Sequence, residues 1–301
     1  MMHEKDYASY KCGYVAILGR PNVGKSTLLN NILEFKLCIV TPKSQTTRHR
    51  ILGIYCQDDM QIIFLDTPGL IKPRYKLHEY LVKSAESAAK NADVHLFLIE
   101  AGDKINPEDA ALLQGLVLQK KPIIIGINKT DKVPKSQLLP LIEQCANQPG
   151  VVEVVPISAL QNDGINDLLS GIKKVMPYGA PLYPEDQLTT EPERFFVSEL
   201  IREQIFHNYG DEIPYSTTVT VEEFKERAGR KDYVRATILV ERPSQKAILI
   251  GKHGAALKKV GAESRKEIEQ MLGRDVFLDL FVAVRPKWRD KENMLRNLGY
   301  N

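Results

Sequence analysis

The sequence predicts an α/β domain built on a mixed, mostly parallel sheet with helices on both faces, followed by a smaller α+β unit. Three observations predict it. Up to about Met176, short β-rich runs alternate with amphipathic stretches, the pattern of a parallel sheet covered by crossover helices. A glycine-rich loop, Gly19-Arg20-Pro21-Asn22-Val23-Gly24-Lys25-Ser26, separates the first apolar run from the first helical one. A stretch punctuated by Pro177, Pro181, Pro184 and Pro192 then precedes a new order of helix, strand, strand, short helix, long helix and strand. The boundaries are drawn accordingly at 1–176 for the first domain, 177–193 for a linker, and 194–301 for the second domain with its basic tail.

A chain of 301 residues has room for about two domains. Its 43% hydrophobic and 26% charged residues describe an ordinary globular protein, not a disordered or fibrous one. No run approaches the roughly 18 apolar residues of a membrane span, and residues 1–11 lack the apolar centre of a signal peptide. The expected compartment is the cytoplasm. Cys12, Cys38, Cys56 and Cys145 are too scattered to suggest a zinc site or a disulfide framework. Net charge is only +3, but residues 242–301 hold 13 basic against 7 acidic side chains, whereas residues 181–241 hold 7 against 13. A basic terminal region is the electrostatic footprint of nucleic-acid binding.

The runs at 14–18, 61–65, 94–100, 122–128 and 151–157 read as strands. A further run at 51–57 is separated from 61–65 by three residues only, so these two form an antiparallel hairpin and make the sheet mixed. The loop from Gly19 to Ser26 fits the pattern G-x-x-x-x-G-K-[ST]. Its glycines let successive N–H groups point at phosphate oxygens while the next helix adds its positive end. Lys25 would reach the β and γ phosphates and Ser26 would hold Mg²⁺; Thr27 completes the set. Asp66-Thr67-Pro68-Gly69 leaves the carboxyl end of the next strand, where Asp66 would bind Mg²⁺ and the Gly69 amide would donate to the γ-phosphate. Asn128-Lys129-Thr130-Asp131 decides the base, because the Asp131 carboxylate accepts two hydrogen bonds that guanine offers and adenine does not. Asn128 would tie this loop to the phosphate loop, the Lys129 stem would lie along the base, and Ser158-Ala159-Leu160 would meet the guanine carbonyl.

With these elements in this order, the first domain resembles the translation-factor class of small GTPases, which implies GTP and GDP as ligands with Mg²⁺. The segment Thr41 to Arg50 is polar, basic and aperiodic, as a switch should be. The resemblance to GTPases with a T-T-R triplet puts Mg²⁺ on Thr47, ahead of Thr46 and Thr41. Lys25, Thr47 and Gly69 are then the catalytic candidates. Leu70 stands where Ras-like proteins carry a water-positioning glutamine, so intrinsic hydrolysis should be slow. Asn22 resembles the asparagine of cation-activated GTPases, which implies a K⁺ ion near the phosphates; otherwise it satisfies loop backbone.

In the second domain, Gly251-Lys252-His253-Gly254 forms a turn between two helices with Ile248 and Ile250 before it and Lys258-Lys259 after it. Inside its α-β-β-α-α-β order this segment resembles a type II KH domain, implying a groove for about four single-stranded nucleotides with RNA preferred. Arg285, Lys287, Trp288 and Arg289 follow the last strand; Trp288 stacks on a base or anchors the C-terminal helix. The pair of domains is similar to the bacterial Era family. That resemblance implies a monomeric GTPase that binds the 3′ end of small-subunit ribosomal RNA, assists small-subunit maturation and touches the inner membrane peripherally. The alternatives are a GTPase aiding modification of another RNA such as tRNA, and an RNA-binding scaffold that uses nucleotide as a prop.

Overall fold

The computed structural model describes residues 7–43, 46–69, 73, 75–210 and 212–300. Leu70, and Ser44 and Gln45 of the expected switch, lie outside them. The chain divides into two compact units, one of Met1–Cys38, Thr47–Lys72 and Leu81–Thr190, the other of Ile39–Thr46, Pro73–Tyr80 and Glu191–Asn301.

The first unit carries a six-stranded sheet of β1 (Lys11–Leu18), β2 (Ile51–Gln57), β3 (Met60–Asp66), β4 (Val94–Glu100), β5 (Ile123–Asn128) and β6 (Val151–Pro156), in the order β2-β3-β1-β4-β5-β6. All pairs are parallel except β2 with β3, the expected hairpin, whose register sets Ile54 against Ile63. Every residue of β3 and β5 is buried, so their continuous apolar runs fit a sheet covered on both faces. The helices of this half are α1 (Lys25–Leu33), α2 (Lys76–Asn91) from Leu81 onward, α3 (Pro107–Val117), α4 (Lys135–Ala146) and α5 (Ile165–Val175). Helix α3 starts where the Asn106 side chain accepts from the Glu108 N–H and Pro107 presets the first turn. Helix α5 buries Ile165, Leu168, Leu169 and Ile172 and leaves Asp167 to its polar face. Because β1 has β3 on one side and β4 on the other, the strand order reverses beside it, and such a reversal opens a crevice at the carboxyl ends of the strands.

The stretch expected as a linker is stitched to this sheet through Thr189. Gln61 Oε1 accepts from the Leu182 and Tyr183 N–H groups, Leu188 O accepts from Ile54 N, and Thr189 Oγ1 donates to Leu52 O.

The second unit holds α6 (Glu193–Asn208), α7 (Ile213–Ser216), β7 (Thr218–Lys225), β8 (Asp232–Val240), α8 (Pro243–Ile250), α9 (Ala255–Leu272), β9 (Val276–Val284) and α10 (Glu292–Asn297). Its sheet runs β7-β8-β9, antiparallel between β7 and β8 and parallel between β8 and β9. Val234, Ala236 and Ile238 alternate along β8 to meet Ile201 and Ile205 of α6 and Val260 and Ile268 of α9, so the helices close one face of the sheet.

Candidate nucleotide site and nucleic-acid groove

The phosphate loop sits at the crevice, between the end of β1 and the start of α1. Gly19 takes φ +140° and Gly24 φ +102°, and neither position has room for a side chain: a Cβ on Gly19 would lie 2.4 Å from Leu98 O, and one on Gly24 2.2 Å from Asn128 Nδ2. Lys25 is buried and its Nζ donates to the carbonyls of Gly19 and Arg20 at 3.1 and 3.0 Å, which folds the loop around the ammonium. Burial lowers the Lys25 pKa to about 8 against the opposing pull of Asp66 and Asp109. Arg20 turns its guanidinium away, donating through Nε and Nη2 to the two oxygens of buried Asp109 on α3 at 2.8 and 2.9 Å. Asn22 holds its backbone at φ 63° in the same loop, beside Pro21 and Val23.

Three oxygens from three segments converge beyond the lysine. Ser26 Oγ donates to Asp66 Oδ2 at 3.0 Å and pairs with Thr47 Oγ1 at 3.0 Å. Asp66 is fully buried, its Oδ1 has no hydrogen-bond partner among the described residues, and burial raises its pKa against the pull of Lys25. A hard oxygen set of this kind with a spare carboxylate lone pair fits a magnesium ion. Among the switch threonines it is Thr47 that meets Ser26. Thr46 Oγ1 instead donates to Lys43 O, and the Thr41 and Thr46 hydroxyls pair at 3.3 Å. Thr67 Oγ1 donates to Ile17 O, and Gly69 passes so close to the phosphate loop that a Cβ would lie 2.8 Å from Pro21 N. Only glycine allows that approach, and Pro68 precedes it.

The base end is built from the carboxyl ends of β5 and β6. Asn128 Nδ2 donates to Val23 O at 2.7 Å and its Oδ1 accepts from Ala159 N at 2.9 Å, so one side chain bolts both loops to the phosphate loop. Asp131 Oδ1 accepts from Ser158 Oγ at 2.6 Å, which orients the carboxylate. Lys129 adopts φ 66° and its Nζ pairs with Glu100 at 3.1 Å; Leu160 stays exposed. All the segments marked by motif in the first half thus meet along one crevice. Asp109 belongs to no motif, because its link to Arg20 spans 89 residues and leaves no local signal in the sequence.

In the second unit Gly251 takes φ 71°, where a Cβ would press to 2.6 Å from that of Ala256, and Gly254 takes φ 77° as the N-cap of α9. Lys252 and His253 are exposed at the tip of this turn. Beside it lies a groove of about 480 Å³ between α9 and the edge strand β9, lined by Gly254, Leu257, Lys258, Gly261 and Arg265 on one wall and by Leu278 and Leu280 on the other. Ile248 is 51% exposed outside this lining, and Ile250 packs against the core cluster. Lys259 is exposed and pairs with Glu263. Leu257, Gly261 and Arg265 recur every four residues on one face of α9, a stripe that was readable in the sequence but points to a groove only once β9 lies opposite.

Trp288 overturns its place among the RNA contacts. The ring is 0% exposed, its Nε1 donates to Ser216 O at 2.9 Å, and it stacks on Tyr300 at 6.3 Å. A buried indole offers no face to a base, so it anchors the C-terminal segment. Its neighbour Arg289 pairs with Glu241 and lies over the Tyr75 ring at 4.6 Å, whereas Arg285 and Lys287 are exposed.

Comparison with known proteins places these units. Residues 14–129 match the model of the 50S ribosome-binding GTPase family, and residues 212–289 match that of the KH domain. A variant of Aquifex aeolicus Era bound to GDP·AlF4⁻ is 42% identical with a TM-score of 0.92, over 96% of this chain and 99% of that one. An Era structure in complex with MgGDPNP and nucleotides 1506–1542 of 16S ribosomal RNA is 41% identical with a TM-score of 0.93, over 97% and 99%.

Proposed function

The chain belongs to the Era family of GTPases, and from that membership we propose that it is a GTP-hydrolysing switch whose KH unit binds the 3′ end of small-subunit ribosomal RNA and assists maturation of that subunit. The observation that carries the reading is the joining, in one chain, of the Ser26, Asp66 and Thr47 oxygen cluster with a glycine-turn groove. Relatives crystallised with GDP·AlF4⁻ and with MgGDPNP and 16S nucleotides support both halves.

In this reading Asp131 accepts from the guanine N1–H and exocyclic amine, while Ser158 and Asn128 hold its loop against the phosphate loop. Lys25 pairs with the β and γ phosphates, and the Gly69 amide donates to the γ-phosphate. Ser26, Thr47 and Asp66 would hold Mg²⁺, which when bound would supply positive charge to stabilise the phosphates during transfer. Asn22 would hold K⁺ near the same oxygens and so add charge to that of Lys25, since the Arg20 guanidinium is turned to Asp109. GTP turnover should therefore be faster in potassium than in sodium buffer of equal strength, and equal rates would remove K⁺ from the account.

Support for a switch comes from within the second unit. There the Ile39–Thr46 segment is held to α6: Arg202 donates to Thr46 O, Glu203 accepts from Val40 N at 3.1 Å, and Lys43 Nζ donates to the carbonyls of Phe206 and Tyr209. The next residue is Thr47. One peptide bond thus joins a segment held by the KH unit to the hydroxyl assigned to Mg²⁺. We read the protein as a cytoplasmic monomer, with peripheral contact of the inner membrane through its basic C-terminal region; no helix among the described residues is long and apolar enough to cross a membrane. Multiple-turnover phosphate release with and without an oligonucleotide of the rRNA 3′ end tests the function. Binding of GTP without turnover in either condition would leave a scaffold, not a switch.

A further inference from the structure

We infer that the open face of the β7-β8-β9 sheet is a second RNA subsite, a platform on which unpaired bases stack after leaving the groove beside α9. The inference rests on the RNA-binding reading above and extends it to residues outside the glycine turn and the groove floor.

Alternation along the strands builds the platform. The register of β8 and β9 sets Tyr233 against Phe277, Arg235 against Asp279 and Thr237 against Phe281. Residues between them, such as Val234, Ala236, Leu278 and Leu280, point to the core or the groove, so Tyr233, Arg235, Phe277 and Phe281 share the opposite face. Phe277 is 56% exposed and Phe281 48% exposed. Two phenylalanines left in water on an edge strand call for a partner.

Their surroundings suit flat, π-rich groups. Tyr233 stacks on Phe277 with ring centroids 5.9 Å apart and planes 13° from parallel. The Arg235 guanidinium lies 5.6 Å from the Phe281 centroid and 5.9 Å from that of Tyr233, whose ring also carries Arg227 at 4.9 Å. Tyr233 Oη donates to Asp279 at 3.1 Å and accepts from Arg235 Nε at 3.1 Å, which fixes the row before any ligand arrives. The acidic groups on this face are engaged: Asp279 by Tyr233 and Arg235, Glu223 by Lys225, and Glu222 by the Thr237 hydroxyl at 2.7 Å. A row of rings and guanidinium planes on an open sheet is the arrangement that stacks single-stranded bases.

Continuity with the groove selects RNA over a protein partner. Phe277 lines the groove together with Gly254, Lys258 and Arg265, while also stacking on Tyr233 of the open face. Among the described residues strand β9 is a sheet edge, with no further strand beyond it. A strand of RNA leaving the groove crosses that edge directly onto Phe277 and then Phe281.

The test uses the full chain with GDPNP and two nested RNAs from the rRNA 3′ end, one of four nucleotides that fills the groove and one of ten that reaches past it. Wild type should bind the longer RNA more tightly. Phe281→Leu keeps apolar bulk and melting temperature but removes the flat ring that lies outside the groove lining. This variant should bind the short RNA as wild type does and the long one about ten-fold more weakly. Phe281→Trp should tighten the long RNA only. Lys252→Asp with His253→Asp should weaken both RNAs, which separates failure of the groove from failure of the platform. No gain on lengthening in wild type, or equal long-RNA affinity in the leucine variant, overturns the proposal. A leucine variant that changes the sedimentation of the chain without changing RNA affinity marks the face as a protein interface, and overturns it as well.

Discussion

In the proposed function Asp131 reads the base and Lys25 the phosphates, and each role has its own signature. Asp131→Asn replaces one acceptor oxygen with a donor, so it loses a charge-assisted hydrogen bond to guanine and sets an N–H against one of the base's own donors. Charged hydrogen bonds are worth about 1.5–3 kcal/mol each, so GTP affinity should fall by about 10²-fold, measured by titration calorimetry against the unchanged melting curve of the variant. An affinity within a few-fold of wild type would show that the carboxylate does not face the base. For Lys25 the sign follows from its lowered pKa of about 8 in the protein alone. Phosphates favour the ammonium and raise that value in the complex, so above pH 8 the complex binds more protons than the free chain. GTP affinity should be flat below about pH 7.5 and fall by up to about ten-fold per unit above 8. A profile flat to pH 9.5 would contradict it. That both residues lie in loops at the carboxyl ends of strands was legible in the sequence, because each belongs to a motif of a few consecutive positions next to an apolar strand. Asp109 was not, because its partner Arg20 is near only after β1 and β4 pair and bring α3 to the loop.

Helix α9, strand β9 and the C-terminal segment show which parts of the site depend on packing. The glycine turn and the α-β-β-α-α-β order were readable, since turn chemistry and periodicity are local. The groove wall was not, since Leu257 and Arg265 become lining only when Leu278 and Leu280 of the parallel edge strand lie across from them. Trp288 teaches the same lesson in reverse. A tryptophan among cations suits stacking as well as anchoring until Ser216 O and Tyr300 are in place around it. Trp288→Ala should therefore destabilise the second unit by about 3–5 kcal/mol, read from chemical denaturation, because a filled site becomes a cavity beside an unpaired carbonyl. At a temperature where the variant is still folded, its affinity for the four-nucleotide RNA should match wild type. Lost affinity with unchanged stability would restore the stacking role.

Across the whole molecule, the nucleotide and the RNA are expected to bias one switch. Alternating strands and helices made the first unit legible, and the hairpin of β2 and β3 was foreseeable from a gap of three residues. What no motif recorded is that Ile39–Thr46 belongs with α6 in the second unit, because that assignment rests on the buried Arg202 and Glu199 pair and on backbone carbonyls. If the segment answers to GTP at one end and to the KH unit at the other, binding must be coupled in both directions by the same factor. The direct measurement is the affinity of the full chain for the rRNA 3′-end oligonucleotide with GDPNP and with GDP, paired with the affinities for GDPNP and GDP with and without that RNA. RNA binding should be tighter with GDPNP, and RNA should favour GDPNP over GDP by an equal factor. RNA affinity that is the same with both nucleotides would mean that the two units are tethered and not coupled.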